Sequence, residues 1–102
     1  MRACRVFINR SALDDIGDVA EGIFYVSKSI SIAEKYIDGL YAAIQKLSIY
    51  GAYLPLCQNE DVIAKYGKYI RRMNYKKIAV LFYVNGDTVL IQEIRFQYTI
   101  KT

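Results

Sequence analysis

The sequence predicts an α+β domain in the order β-α-α-β-β-β, with a helical hairpin packed on one face of a small, mostly antiparallel sheet. Three observations support this fold class. Apolar residues recur at helical spacing through the first half of the chain, and a continuous apolar run occupies residues 77–84. The turn signal "NGD" then joins that run to a second apolar segment. We expect the 102 residues to form a single domain, 1–102, because this length supports one hydrophobic core.

The first predicted elements are a strand and a helix. "ACRVFI" (3–8) is short and alternates weakly between polar and apolar residues, as strands do. Ser11 with Asp14 three residues later predicts a capping box at the start of the first helix. The apolar stripe of this helix is predicted to consist of Leu13, Ile16, Val19, Ile23 and Val26.

The second helix has the clearest pattern in the chain. Ser31 with Glu34 predicts its capping box, and Gly51 and Pro55 predict its end and a following loop. Its apolar stripe is predicted to consist of Ala33, Ile37, Leu40, Ile44 and Leu47. Two helices separated by a few polar residues form an antiparallel hairpin.

The remainder of the chain is predicted to be β. "KYIRRM" (68–73) reads as a short strand, "NYK" as a turn, and "KIAVLFYV" (77–84) as a strand in the middle of a covered sheet. Asn85 and Gly86 accept the positive φ angles of a type I′ turn, which leads into the partner strand "TVLIQEIRF" (88–96). We expect the sheet face opposite the helices to remain uncovered.

Composition excludes several kinds of chemistry. Histidine is absent, which excludes Ser-His-Asp and Cys-His nucleophile systems and His-bound zinc. Cys4 and Cys57 lie among apolar residues and are expected to be reduced core thiols. Without a signal peptide or an apolar run long enough for a membrane span, a cytoplasmic protein is expected, with no membrane association, cofactor or metal.

Positive charge is concentrated near the C-terminal end. Residues 65–102 hold eight basic and two acidic side chains, and the segment "KYGKYIRRMNYKK" (65–77) contains no acid. Arg71 and Arg72 are predicted to point to opposite faces of their strand, and Glu93 and Arg95 share a face and are predicted to pair. The simpler alternative is that these cations are solvated strand ends that protect a sheet edge from aggregation.

The string "YIRRMNYKKIAVLFYVNGDTVLIQEIRF", together with the preceding "SISIAEKYIDGLYAAIQKLSIYGAYLP", resembles the RelE/ParE superfamily of toxins from type II toxin–antitoxin modules. The resemblance covers nearly the whole chain and implies a small sheet with a helical hairpin on one side. RelE-like toxins cleave messenger RNA, usually in the ribosomal A site, whereas ParE-like toxins poison DNA gyrase. Both are neutralised by an antitoxin segment that wraps the toxin.

The sequence departs from the RelE-like pattern at the positions that carry catalysis. The resemblance places a frequent tyrosine pair on Ile78 and Phe82 and an arginine near Ala79, and the final strand ends in Phe96-Gln97-Tyr98-Thr99 (96–99) instead of histidine and arginines. It therefore favours a ParE-like, growth-inhibiting toxin with plasmid-stabilisation character. A ribosome-dependent endoribonuclease and an inactive homologue that only binds its antitoxin remain alternatives.

The resemblance and the charge pattern together nominate site residues and partners. Residues expected to bind the target or the antitoxin are Lys68, Arg71, Arg72, Lys76, Lys77 and Arg95. Weaker candidates for catalysis are Arg72, Lys76, Arg95 and Tyr98. The expected partners are an acidic antitoxin, which an uncovered apolar sheet face would suit, and DNA gyrase or the ribosome with its messenger RNA. A homodimer is left open.

Overall fold

The computed structural model describes residues 4–100 and confirms an α+β fold in which a helical hairpin packs on a mostly antiparallel sheet. Its sheet has the order β1-β4-β3-β2, with β1 parallel to β4 and the other pairs antiparallel. The elements are β1 (Arg5–Ile8), α1 (Arg10–Ser27), α2 (Ile30–Tyr50), α3 (Glu60–Tyr66), β2 (Arg71–Tyr75), β3 (Ile78–Asn85) and β4 (Thr88–Phe96), with 3₁₀ turns at Gly51–Tyr53 and Gln97–Thr99. No helix within residues 4–100 is long and apolar enough to cross a membrane.

Both long helices begin earlier than the predicted capping boxes. The Asn9 side chain accepts a hydrogen bond from the Ala12 amide at 2.8 Å, and the Ser29 hydroxyl accepts one from the Ile32 amide at 3.2 Å. The predicted caps, Ser11 and Ser31, are therefore wrong by two residues. Asparagine and serine are both favoured at the N-cap, and Asn9 and Ser29 have the extended backbone of that position.

The apolar stripe of α2 is confirmed, while that of α1 is only partly as predicted. Leu40, Ile44 and Leu47 are fully buried in α2. On α1 the buried positions are Ala12, Ile16 and Val19. Leu13 and Val26 were predicted to face the core but are exposed. Ala12 occupies the core-facing position of the first turn in place of Leu13. Val26 lies in the last turn, beyond the buried part of the stripe.

The start of α1 closes the outer edge of β4. Because β1 ends at Ile8, the β4 backbone beyond Ile91 has no strand beside it on that side. The Asp15 carboxylate accepts a hydrogen bond from the Ile94 amide at 3.0 Å in place of a strand neighbour. Burial of the carboxyl raises the pKa of Asp15, and nearby Glu93 adds to the rise, although the bond from Ile94 acts in the opposite direction.

The central strand β3 is buried on both faces, as predicted. Its residues 78–82 have no exposed surface, with Ile78, Val80 and Phe82 facing the helical hairpin and Ala79 and Leu81 facing away from it. This strand therefore requires a cover on each side of the sheet.

The expectation that the second face of the sheet is uncovered is wrong. Ala79 and Leu81 form a second core cluster with Cys57, Val62, Ile70 and Ile100. Val62 comes from α3, which spans the end of the predicted loop and the stretch before the predicted strand 68–73, where the sequence predicts no helix. With seven residues and one buried side chain, α3 is too short to produce a recognisable helical period.

The first basic strand and the hairpin turn also differ in detail from expectation. Strand β2 is displaced toward the C-terminus relative to the predicted 68–73, and the turn falls on Lys76 and Lys77, where Lys76 has a φ of 51°. The "NGD" hairpin is confirmed, but the turn residues are Gly86 and Asp87, since Asn85 pairs with Thr88. Of these two turn residues, Gly86 alone has a positive φ, of 61°, which fits type II′ and not type I′.

Gly39 of α2 allows a tyrosine from the sheet to pack against the helix. A Cβ atom at Gly39 would overlap the Tyr75 hydroxyl, whose ring also contacts Tyr36 edge-on at 5.6 Å between centroids. We predict that Gly39→Ala lowers the free energy of unfolding by about 1–3 kcal/mol, because the tyrosine ring must move out of a packed position. Urea denaturation measures this loss.

The matched control is Gly17→Ala in α1, where a Cβ atom would have no neighbour within 4 Å. There the same substitution should raise the free energy of unfolding by up to about 1 kcal/mol through helix propensity. Equal effects at the two glycines would contradict the packing described for Tyr75.

Candidate binding surface

The two neighbouring arginines of β2 lie on opposite faces of the sheet, as their alternation predicts. Arg71 pairs with Phe82 and lies on the helical side, where its guanidinium donates to the Leu54 carbonyl and does not reach a helix carboxylate. Arg72 pairs with Leu81 and lies on the second face, where its Nε donates to Asn74 Oδ1 at 2.8 Å. Arg71 therefore holds the loop after α2. Arg72 lies with Lys77 at a common hollow, which we call the basic surface or basic rim.

A carboxylate lies at the centre of the second face. Glu93 accepts hydrogen bonds from Tyr66 at 2.7 Å and Lys65 at 3.0 Å on one oxygen, and from Arg95 at 2.8 Å on the other. The predicted pairing of Glu93 with Arg95 is confirmed. Burial alone would raise the pKa of Glu93, but the bonds from Tyr66, Arg95 and Lys65 together outweigh it, so that its pKa is lowered.

The partners of this carboxylate are held by further contacts. The pKa of the Tyr66 phenol is raised mainly by burial and further by the hydrogen bond to Glu93. The pKa of Lys65 is raised mainly by its own hydrogen bond to Glu93. Arg95 also donates to the Thr99 hydroxyl and carbonyl at 2.8 and 2.7 Å. The cluster ties α3 and the 3₁₀ turn at Gln97–Thr99 to β4. Sequence reasoning missed Lys65 and Tyr66, since only the tertiary fold brings α3 to Glu93.

The predicted site residues divide among separate places on the surface. Arg72, Lys77 and Tyr98 line one hollow of about 440 Å³. Arg95 lines another, of about 330 Å³, with Lys65 and Tyr66, two of the side chains that bind Glu93. Ile100 lines both hollows, and Tyr98 is exposed with its ring stacked on Phe96 at 5.6 Å between centroids.

The two remaining lysines lie beside aromatic rings. Lys76 Nζ is 5.0 Å from the ring centroid of Tyr36 and 5.4 Å from that of Tyr75, within the range of a cation–π interaction. Lys68 is exposed, with Nζ 5.3 Å from the ring centroid of Tyr69. The four weak catalytic candidates, Arg72, Lys76, Arg95 and Tyr98, therefore do not converge on one point.

The positions at which the RelE-like pattern carries tyrosines and an arginine are inside the protein. Ile78 and Phe82 face the helical core and Ala79 faces the second core cluster, all without exposed surface. The second face thus presents guanidinium, ammonium and phenol groups, which can bind anions and stack on planar groups. Its central carboxylate is already occupied by three donors.

The Glu93 cluster should produce a specific pH dependence of stability. The pKa of Glu93 is lower in the folded protein than its ordinary value of 4.5. Its ionised form therefore contributes to the free energy of unfolding, fully above about pH 4.5, and this contribution is lost as the pH falls through the folded-state pKa. We predict that Glu93→Gln lowers the free energy of unfolding by about 1–3 kcal/mol at pH 7, and that this difference from the unmodified protein shrinks below about pH 4. Urea denaturation at several pH values measures the difference.

The control is Glu34→Gln on α2, which removes an exposed carboxylate without an ion pair among residues 4–100. Its effect should remain within about 0.5 kcal/mol. A Glu93→Gln penalty that persists unchanged at low pH would contradict the charge-assisted role of this carboxylate.

Comparison with known proteins identifies the fold. No protein-family model and no curated protein sequence matches the chain. Among solved structures, the chain is similar to one from the chromosomal ParDE toxin–antitoxin system of P. aeruginosa, with a TM-score of 0.74, 14% identity and coverage of 92% of this chain and 96% of that one. It is also similar to a chain of the toxin–antitoxin complex RelBE2 from Mycobacterium tuberculosis, with a TM-score of 0.57, 9% identity and coverage of 92% and 98%. The protein therefore has the RelE/ParE-like fold that its sequence resemblance predicts.

Proposed function

We propose that this chain is the toxin of a type II toxin–antitoxin module and that it inhibits growth by binding its target, as ParE-like toxins do. The fold likeness to chains of ParDE and RelBE2 supports the module. The observation that carries the binding mechanism is the state of Glu93, whose three hydrogen-bond donors lower its pKa.

Cleavage of RNA through its 2′-hydroxyl requires a base for that hydroxyl and an acid for the leaving oxygen. A carboxylate with a lowered pKa is a weak base, and the raised pKa of the Tyr66 phenol makes it a poor base near neutral pH. Arg72 and Lys77 line a common hollow with Tyr98, where their nitrogen atoms can donate hydrogen bonds to an anionic partner. The basic surface is thus suited to docking, and ribonuclease activity is the alternative that experiment must separate.

The proposed antitoxin contact also rests on this basic surface. Helix α3 covers the middle of the second face, so binding of the antitoxin cannot be argued from an uncovered apolar sheet face. Complementary charge supports the contact, because an acidic segment would meet Arg72 and Lys77 in their common hollow, while Lys68 is exposed and available to the same partner. We propose the same rim for the target, with DNA gyrase as the first candidate, inside the bacterial cytoplasm.

Induced expression in a bacterial host tests the proposed function. We expect growth arrest, DNA breaks trapped with gyrase, and inhibition of supercoiling by purified gyrase, while messenger RNA in translation stays intact. Cleavage of translated transcripts without trapped gyrase would favour the ribonuclease alternative. Unchanged growth would contradict both toxin mechanisms and leave the inactive homologue.

The site assignment is tested by the double substitution Arg72→Ala with Lys77→Ala. We expect inhibition to weaken by at least about fivefold, because two cations of the rim are removed. The matched control is Lys35→Ala with Lys46→Ala, which removes the same charge from exposed positions on α2. Equal inhibition by both double variants, with folding verified by circular dichroism, would exclude the basic rim as the docking site.

A further inference from the structure

The apolar stripes of the helical hairpin continue past the part of the hairpin that the sheet covers. On α2, Leu40 has no exposed surface, whereas Ile37 is partly buried and Ile30, in the same stripe, is 66% exposed. On α1, Val19 is 2% exposed and Phe24, nearer the loop between the helices, is 44% exposed. The end of the hairpin therefore presents apolar side chains without a cover among residues 4–100.

These side chains form a groove between the two helices, which we call the hairpin groove. Its volume is about 420 Å³, and the small side chains of Ala20 and Ala33 leave room between larger neighbours. Its apolar lining consists of Ala20, Phe24, Ile30, Ala33 and Ile37. It lies on the helical side of the sheet, whereas Arg72 of the basic surface lies on the other side.

Three carboxylates border this groove. Glu21 comes from α1, and Glu34 and Asp38 come from α2 at a spacing of one helical turn. All three side chains are exposed, and none forms an ion pair within residues 4–100. The groove therefore combines an apolar floor with a negative rim, opposite in sign to the basic surface on the second face.

We propose that the hairpin groove binds an amphipathic helix of a partner protein whose apolar stripe is flanked by Lys or Arg. A helix satisfies its own backbone hydrogen bonds and can pack as a third member against two helices. An extended strand would need backbone hydrogen-bond partners from the free edge of a sheet. It would find none in the groove, since α1 and α2 are continuous helices over these residues. A second copy docking through the same groove would bring like carboxylates together, so that the rim disfavours a symmetric homodimer.

A pair of model peptides tests this proposal on the full chain without reference to toxicity. One dye-labelled peptide of about 14 residues carries Leu at helical spacing flanked by Lys, and its control carries Glu in place of every Lys. Fluorescence anisotropy should show that the Lys peptide binds at least about tenfold more tightly, and that its affinity falls as salt is added. Equal binding of the two peptides, or no binding of the Lys peptide, would overturn the proposal.

Charge reversal locates the binding to the groove. Glu34→Lys with Asp38→Lys should weaken binding of the Lys peptide by between about threefold and about tenfold, since each exposed charge contact contributes modestly. The control Asp14→Lys adds a like charge on α1 outside the groove and should leave the affinity unchanged. Equal effects of the two variants at matched thermal stability would refute the location. Sedimentation velocity tests whether a second copy of the chain occupies the groove. If the wild-type protein is a dimer and the double variant is a monomer, a second copy is the occupant and the proposal is overturned.

Discussion

The burial of strand β3 on both faces is the constraint on which the other features of this fold depend. A strand whose residues 78–82 are wholly apolar and unexposed needs two covers, and a chain of this size has few elements to supply them. The long hairpin of α1 and α2 provides one cover. The second is assembled from small pieces, namely α3, Cys57, Ile70 and Ile100, which together enclose Ala79 and Leu81.

A helix as short as α3 is not stable by its own hydrogen bonds, so its position must be fixed by tertiary contacts. Val62 supplies the apolar contact, the Tyr83 hydroxyl donates to the Tyr66 carbonyl, and Glu93 accepts from Lys65 and Tyr66. The polar groups at the centre of the second face thus hold the cover in place. The same contacts explain why this face lacks a free base at its centre: the carboxylate is committed to three donors.

Features with a local cause could be predicted from the sequence, and features with a distant cause could not. The stripe of α2, the doubly buried β3 and the hairpin at Gly86 follow from periodicity and turn chemistry, as does the separation of Arg71 from Arg72. Helix α3 has too few buried positions to show a period. The contact of Tyr66 with Glu93 joins residues 27 positions apart and depends on that helix. The cover of the second face and the Glu93 cluster therefore could not be predicted from the sequence.

The two covers also separate the charge of the molecule. Lys65, Arg72 and Arg95 lie on the second face, while Glu21, Glu34 and Asp38 border the groove at the end of the helical hairpin. Glu21 and Lys77 also line a common hollow with Phe96, so the two surfaces approach each other at that edge of the molecule. Each surface presents its own sign of charge to a partner. An acidic segment on the basic rim and a basic helix in the hairpin groove would be compatible in the same complex, whether they come from one protein or two.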